Sequence, residues 1–154
     1  MLSKYIMETK NNNQDNQKVI YTDGIYDLFH RGHLESFLEI KKIFPDCHLI
    51  VGIINDTDST GYKRPPIYNE LDRYCIIENL RCVDEIVSGS PLIITEDFIE
   101  KYSIDMIVHG FSNPLDANKQ DTFFEIPKKL NKFMEIPYYS KISTTEIIQK
   151  IKNT

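Results

Sequence analysis

From Val19 onward, short apolar runs of strand length alternate with longer stretches whose apolar residues recur at helical spacing. That alternation restricts the chain to α/β architectures built on a parallel sheet. Val19-Ile20-Tyr21 opens the series and runs into Asp23-Gly24. Leu34, Phe37, Leu38, Ile40 and Ile43 then mark a helix over residues 32–44, stopped by Pro45-Asp46. Residues 48–54 form a continuous apolar run, as a strand covered on both faces does. Residues 56–66 carry Gly61, Pro65 and Pro66 and read as a loop. Asn69, three residues before Asp72, starts a second helix with Tyr74, Ile76, Ile77 and Leu80 on its apolar face. A third strand is expected over 85–87, a short helix capped by Thr95 through Lys101, and a fourth strand over 106–108. Helical spacing returns over 122–133, where Pro127 either kinks the helix or opens it at its first position. A fifth strand is expected over 136–139, and Ser143 is placed to cap a last helix through Ile151.

Parallel strands joined by helices require right-handed crossovers, and such sheets bind ligands at the carboxyl ends of their strands, near the point where strand order reverses. The chemically distinctive residues of this chain fall just after expected strands. With 154 residues the chain suits a single core-bearing domain over residues 18–154. Residues 1–17 are polar and Asn/Gln-rich and are expected to form a flexible tail, from which Tyr5-Ile6-Met7 could dock. The net charge of −5 argues against broad electrostatic binding of nucleic acid or of an anionic membrane. It leaves room for a nucleotide, which needs only a few local cations and backbone N–H groups. Cys47, Cys75 and Cys82 show no metal-type or redox-motif spacing, and no secretory or membrane-length apolar segment is visible. The expected setting is therefore cytoplasmic, with reduced thiols and no membrane partner.

The most informative cluster is His30-Arg31-Gly32-His33, between a strand and a helix. Two imidazoles three residues apart can turn toward one point, and the glycine between them permits close approach of backbone and phosphate. The helix that follows directs its free N–H groups and positive dipole end to the same place. This arrangement suits charge developing on a transferring phosphoryl or nucleotidyl group. A pair of packing histidines, or half of a metal site, is the structural alternative. Asp27, a carboxylate beside this anion site, makes sense if a positive group such as an ammonium arrives; otherwise it caps a turn. Asp23 is expected to hold that turn by hydrogen bonds. Ser143-Thr144-Thr145 at a helix start is a fair anion site in its own right.

The stretch Thr22-Asp-Gly-Ile-Tyr-Asp-Leu-Phe-His-Arg-Gly-His33 resembles the HxGH signature of the cytidylyltransferase family. The resemblance continues through Leu49-Ile-Val-Gly52, Lys63-Arg-Pro-Pro66, Glu70-Leu-Asp-Arg-Tyr74, Arg81-Cys-Val-Asp-Glu85, Val108-His-Gly110 and Ile142-Ser-Thr-Thr145. Lys-x-Pro-Pro and Val-His-Gly lean toward the ethanolamine-phosphate branch, with the phosphocholine branch next. The resemblance implies a Rossmann-like nucleotidyltransferase fold, with a central parallel five-stranded sheet and helices on both faces. It implies transfer of CMP from CTP, escorted by Mg²⁺, to a phosphorylated amino alcohol such as phosphoethanolamine. His30, His33 and Lys63 would be catalytic. Gly24, Ile25, Tyr26, His30, His33, Arg73, His109, Ser143, Thr144 and Thr145 would hold the nucleotide, and Asp27, Lys63 and Leu92 the acceptor. No protein metal ligands are assigned. Residues 81–85 resemble a segment that makes a homodimer contact.

Three departures bear on specificity. Tyr138 and Lys141 stand where the family has an arginine and a glycine, and Phe111-Ser112-Asn113 stands where an acidic residue usually follows His-Gly. Leu92 occupies the place of an aromatic in the choline branch, which disfavours a quaternary ammonium. Alternative expectations are therefore a related transferase using phosphocholine or glycerol 3-phosphate, and a nucleotide-binding module that has lost catalysis.

Overall fold

The computed structural model describes residues 16–154. Five strands, β1 (Val19–Gly24), β2 (His48–Ile53), β3 (Glu85–Ser88), β4 (Met106–His109) and β5 (Phe133–Glu135), form one sheet in the order β3-β2-β1-β4-β5. Every neighbouring pair is parallel. Chain order runs outward from β1 to β3 on one side and from β4 to β5 on the other. The reversal therefore lies between β1 and β4, and a crevice opens above their carboxyl ends. Helices α1 (Arg31–Ile43), α2 (Asp56–Tyr62), α3 (Glu70–Glu78), α4 (Glu96–Lys101), α5 (Pro114–Gln120), α6 (Glu125–Lys129) and α7 (Thr144–Lys152) connect and flank the strands.

Strand alternation divides the core into two layers. Ile20, Leu49, Val51, Ile53 and Val108 pack with Phe37 and Ile40 of α1 and Ile77 of α3. Their neighbours Tyr21, Ile50 and Ile107 pack with Ile94, Ile99, Ile104 and Phe124 on the other layer. Both layers are closed, which accounts for the unbroken apolar run of β2. The fold expectation of a five-stranded parallel sheet covered by helices on both faces holds.

Several local expectations are corrected. Residues 56–62 are helical, because Asn55 accepts the N–H of Asp58 at 2.8 Å and two acids occupy the first turn. The fifth strand is Phe133–Glu135 rather than residues 136–139. Phe133 and Met134 face Ile107 and Val108, and Pro137 has no N–H with which to extend the ladder. The periodic stretch over 122–133 breaks into a 3-10 turn (Asp121–Phe124), α6 and β5, with Pro127 in the first turn of α6, where its missing N–H leaves no bond unmade. Helix α5, unexpected from periodicity, starts at Pro114 behind an Asn113 cap that accepts from Asp116 N–H. Leu80 lies beyond α3, though it packs against the first core layer. Cys47 is buried, Cys82 half-buried and Cys75 exposed. Of the expected tail, only Asn16 and Gln17 fall within the described residues, Gln17 Nε2 donating to the Asp46 carbonyl at 3.0 Å. Tyr5-Ile6-Met7 lies outside them. Among the described residues no helix is long and apolar enough to cross a membrane.

Candidate active site

A cavity of about 480 Å³ opens above the β1–β4 crevice. The turn after β1, the start of α1, the end of α2, the segment after β4, the segment after β5 and the start of α7 all contribute to its wall. The β1–α1 turn is unusual in its backbone: Tyr26 and Leu28 adopt left-handed conformations (φ 57° and 49°), a strained arrangement for residues with side chains. The turn is held by packing, since the buried Tyr26 ring lies between Phe37 and His33, at 5.3 and 5.4 Å.

At the mouth of α1 the two histidines form a reciprocal cap. His30 Nδ1 accepts the N–H of Gly32 at 2.9 Å, and His33 Nδ1 accepts the N–H of His30 at 3.3 Å. A backbone N–H can only donate, so both Nδ1 atoms must be unprotonated acceptors. Each neutral ring therefore carries its hydrogen on Nε2, leaving one donor apiece for the cavity both rings line. The rings stack with centroids 3.9 Å apart and planes at 22°. Burial, the neighbouring His30 and the charge of Lys63 push the His33 pKa down to about 3. Burial also lowers that of His30, against the pull of Glu146. Gly32 has a local steric reason to be glycine. A Cβ there would sit 2.7 Å from His30 Cε1 and 2.9 Å from its Nδ1, displacing the ring.

α1 also differs from the other α-helices of the described residues in having no acid in its first turn, while Lys41 and Lys42 lie in its last. Its positive end is thus left uncompensated for an anion from outside. The start of α7 faces the same region: the Ile142 carbonyl lies 3.3 Å from a Cβ built on Gly32. Ser143 Oγ caps α7 by accepting Glu146 N–H at 3.1 Å and keeps its own proton to donate. Thr144 Oγ1 donates instead to the Asp27 carbonyl at 3.1 Å, tying α7 to the β1–α1 turn.

The remaining sequence-derived candidates divide cleanly. Gly24, Ile25, Tyr26, Asp27, His30, His33, Lys63, Leu92, His109, Ser143, Thr144 and Thr145 all line the cavity. Arg73 does not. It is fully buried (1 % exposed), and its guanidinium donates to the carbonyls of Ile25, Ile54 and Tyr68 and to the Asp56 carboxylate, at 2.7–3.2 Å. It holds together the loops beneath the site rather than a phosphate, and its ion-pair partner is neither Glu70 nor Asp72. The Asp27 carboxylate is also occupied. It accepts the N–H groups of Ile67 and Tyr68 at 2.7 and 2.8 Å, that of Leu28 at 3.1 Å, and Arg64 Nη1 at 3.4 Å. Its lone pairs are thus taken up by the protein, which leaves it poorly placed to accept hydrogen bonds from an ammonium. Asp23, expected to hold the turn, instead places Oδ1 3.5 Å from His109 Nδ1 in the cavity wall.

Periodicity did not point to Tyr62, Asp116, Gln120 and Phe123, which also line the cavity. The Tyr62 ring packs edge-on against Phe123 at 5.3 Å, and its buried hydroxyl has no partner among the described residues. Burial, with the nearby charges of Asp116 and Asp23, pushes the Tyr62 pKa up to about 12, so the hydroxyl stays protonated. Burial tends to raise the Asp116 pKa, but hydrogen bonds from Ser112 and Gln120 and the charge of Lys63 bring it down. An acidic group therefore reaches the wall after His109-Gly110, four residues beyond Ser112 and carried there by α5. Lys63, exposed at the end of α2 with Nζ 5.5 Å from the Tyr62 ring centre, acts electrically on both His33 and Asp116.

Residues 21–150 match the cytidylyltransferase-like family model. The chain belongs to that family. It is 34 % identical to choline-phosphate cytidylyltransferase 2 of Arabidopsis thaliana over 133 residues, 86 % of this chain and 44 % of that protein. It is 34 % identical to human choline-phosphate cytidylyltransferase A, and 31 % identical to the ethanolamine-phosphate cytidylyltransferase of Dictyostelium discoideum. Each of those matches covers 86 % of this chain and 36 % of the relative. The chain thus spans less than half the length of these relatives. A lipopolysaccharide core biosynthesis protein from Thermoplasma volcanium shares the fold, with a TM-score of 0.62 and 24 % identity over 80 % of this chain and 98 % of its own.

Proposed function

We propose that the protein transfers CMP from CTP to phosphoethanolamine, releasing pyrophosphate and CDP-ethanolamine. The observation that carries this reading is the pair of Nε2–H donors fixed by backbone N–H groups at an uncompensated helix start. Donors locked before substrate arrives need no reorganisation when charge develops on the α-phosphate. In this scheme a phosphate oxygen of the acceptor attacks the α-phosphorus in line, and the bond to the β-phosphate oxygen breaks. His30 and His33 donate to α-phosphate oxygens as neutral groups, Lys63 offsets the charge of the phosphates, and the start of α7 receives the departing pyrophosphate. Mg²⁺ would arrive with the nucleotide, carried largely on its phosphate oxygens and water.

The acceptor's nitrogen is assigned to the part of the cavity wall that Asp23, Tyr62 and Asp116 supply, where both carboxylates act on the phenol. A primary ammonium carries three N–H donors, which suit carboxylates and an unpartnered phenol oxygen; a trimethylated nitrogen carries none. That favours phosphoethanolamine over phosphocholine, as the aliphatic Leu92 does. The homodimer implied by residues 81–85 and a cytoplasmic setting are part of the same proposal, and sedimentation would test the first.

The deciding experiment measures pyrophosphate release from MgCTP with phosphoethanolamine, phosphocholine and glycerol 3-phosphate in parallel. We expect release chiefly with phosphoethanolamine, lost by at least about 10²-fold in His30→Ala and His33→Ala. Equal turnover in the folded histidine variants would overturn the reading. A preference for another acceptor would move it to a sister activity.

A further inference from the structure

We infer that Asp27 is a positioning residue: its buried carboxylate latches the segment that carries Lys63, and so sets where that ammonium stands over the cavity. The inference rests on the transferase reading for its kinetic consequence, but its structural content stands apart from activity. The segment from Lys63 to Tyr68 runs between α2 and α3, carries Pro65 and Pro66, and has mostly exposed side chains. A connection of this composition has few means of holding one conformation. Its exposed Ile67 (60 % exposed) contributes little packing.

What fixes the segment is polar and comes from below. Asp27 is 4 % exposed, and its two oxygens receive consecutive backbone N–H groups from Ile67 and Tyr68 together with the Arg64 guanidinium. The Tyr68 carbonyl is taken by Arg73 Nε at 3.2 Å. The far end of the segment is thereby clamped on both faces of one residue, while the near end follows α2. Asp27 also belongs to the strained β1–α1 turn that leads to His30, and its carbonyl receives the Thr144 hydroxyl. One residue therefore links three parts of the wall: the histidine turn through its backbone, the start of α7 through its carbonyl, and the lysine segment through its carboxylate. Lys63 and the histidines are held in register through it.

An asparagine would keep one acceptor oxygen and turn an NH₂ toward the N–H groups it should receive, so Asp27→Asn opens the latch with little change in size. The test has two arms. In the unmodified protein, the Ile67 and Tyr68 amide hydrogens should exchange slowly despite the exposed setting, and Asp27→Asn should abolish that protection; unprotected amides in the unmodified protein would overturn the inference. In turnover assays, Asp27→Asn should lower kcat about 10- to 100-fold, the penalty for misplacing a reacting group by an ångström, with the KM of the acceptor little changed. Lys63→Ala should lower kcat likewise, and the double variant should be no worse than Lys63→Ala. Multiplying effects, or a loss confined to acceptor KM, would mean that Asp27 meets the substrate directly and would overturn the latch. If the unmodified protein turns over none of the acceptors, the transferase reading fails while the exchange arm still decides the latch.

Discussion

His33 Nδ1 receives the backbone N–H of the very residue, His30, whose ring stacks on its own at 3.9 Å. Each histidine is thus a structural cap and a donor to the cavity, and the two roles specify one tautomer.

This pairing predicts how the rings titrate. An unfolded histidine takes up a proton near pH 6.5, whereas folded His33 resists protonation until about pH 3. In nitrogen-detected NMR, His33 should keep an unprotonated Nδ1 and a protonated Nε2 from pH 8 to pH 5. Because its folded pKa is depressed, protons bind the unfolded chain preferentially in that range. Stability should therefore fall as pH drops below about 6.5, and His33→Gln should flatten the decline. A His33 resonance titrating near 6.5 would contradict the locked tautomer.

Gly32→Ala should separate activity from stability. The added Cβ presses chiefly on the His30 ring, which can swing away, and comes within 3.3 Å of the Ile142 carbonyl. Alanine also favours helix by up to about 1 kcal/mol. Losing the His30 cap offsets that gain, so the melting temperature should change little, while pyrophosphate release drops by roughly 10²-fold through the displaced donor. Retention of full activity would show that the His30 ring position is not needed.

Arg73 should behave in the opposite way. Arg73→Met removes a buried guanidinium and strands the carbonyls of Ile25, Ile54 and Tyr68 and the carboxylate of Asp56. The expected loss in urea denaturation is at least about 2 kcal/mol, chiefly from the carbonyls left without a donor, since Asp56 is half-exposed and can turn to water. Lysine should not rescue, since one ammonium cannot span partners that the planar fork reaches together. A loss under about 1 kcal/mol, with nucleotide binding weakened instead, would restore Arg73 to a phosphate role.

Leu92→Trp should turn the acceptor preference. Leu92 lines the cavity, and an indole face there offers a cation–π surface suited to a trimethylated nitrogen. The ratio of kcat/KM for phosphocholine over phosphoethanolamine should rise roughly 2- to 30-fold. An unchanged ratio would place the nitrogen elsewhere.

The division between what sequence revealed and what it withheld follows from the range of the forces involved. The strand and helix series was legible because burial on two layers writes itself into neighbouring residues; β2 and α1 came out nearly to the residue. Local caps were legible too, as at Thr95 and Ser143. The histidine pair could be located because both members sit within one turn. Arg73 was misjudged because its partners lie 5, 17, 19 and 48 residues away, and nothing in the local pattern separates a buried guanidinium from a ligand-binding one. Asp27 was legible in part for the same reason: its position beside the cavity was correct, but its partners at 67 and 68 were invisible. Asp116 was missed because periodicity over 114–120 is weak, and only the Asn113 cap and Pro114 betray the helix that carries it. Residues 136–139 were taken for a strand on composition, whereas pairing begins three residues earlier.

Beneath the cavity, Arg73 fastens the ends of loops that follow β1 and β2 to the one that enters α3, without touching the cavity itself. The guanidinium that ties these loops together is thus kept apart from whatever fills the cavity. A change at Leu92, Tyr62 or Phe123 would reshape the wall of the cavity and leave the Arg73 contacts in place. A fold arranged in this way can vary the wall of its cavity by single substitutions without cutting the ties made underneath.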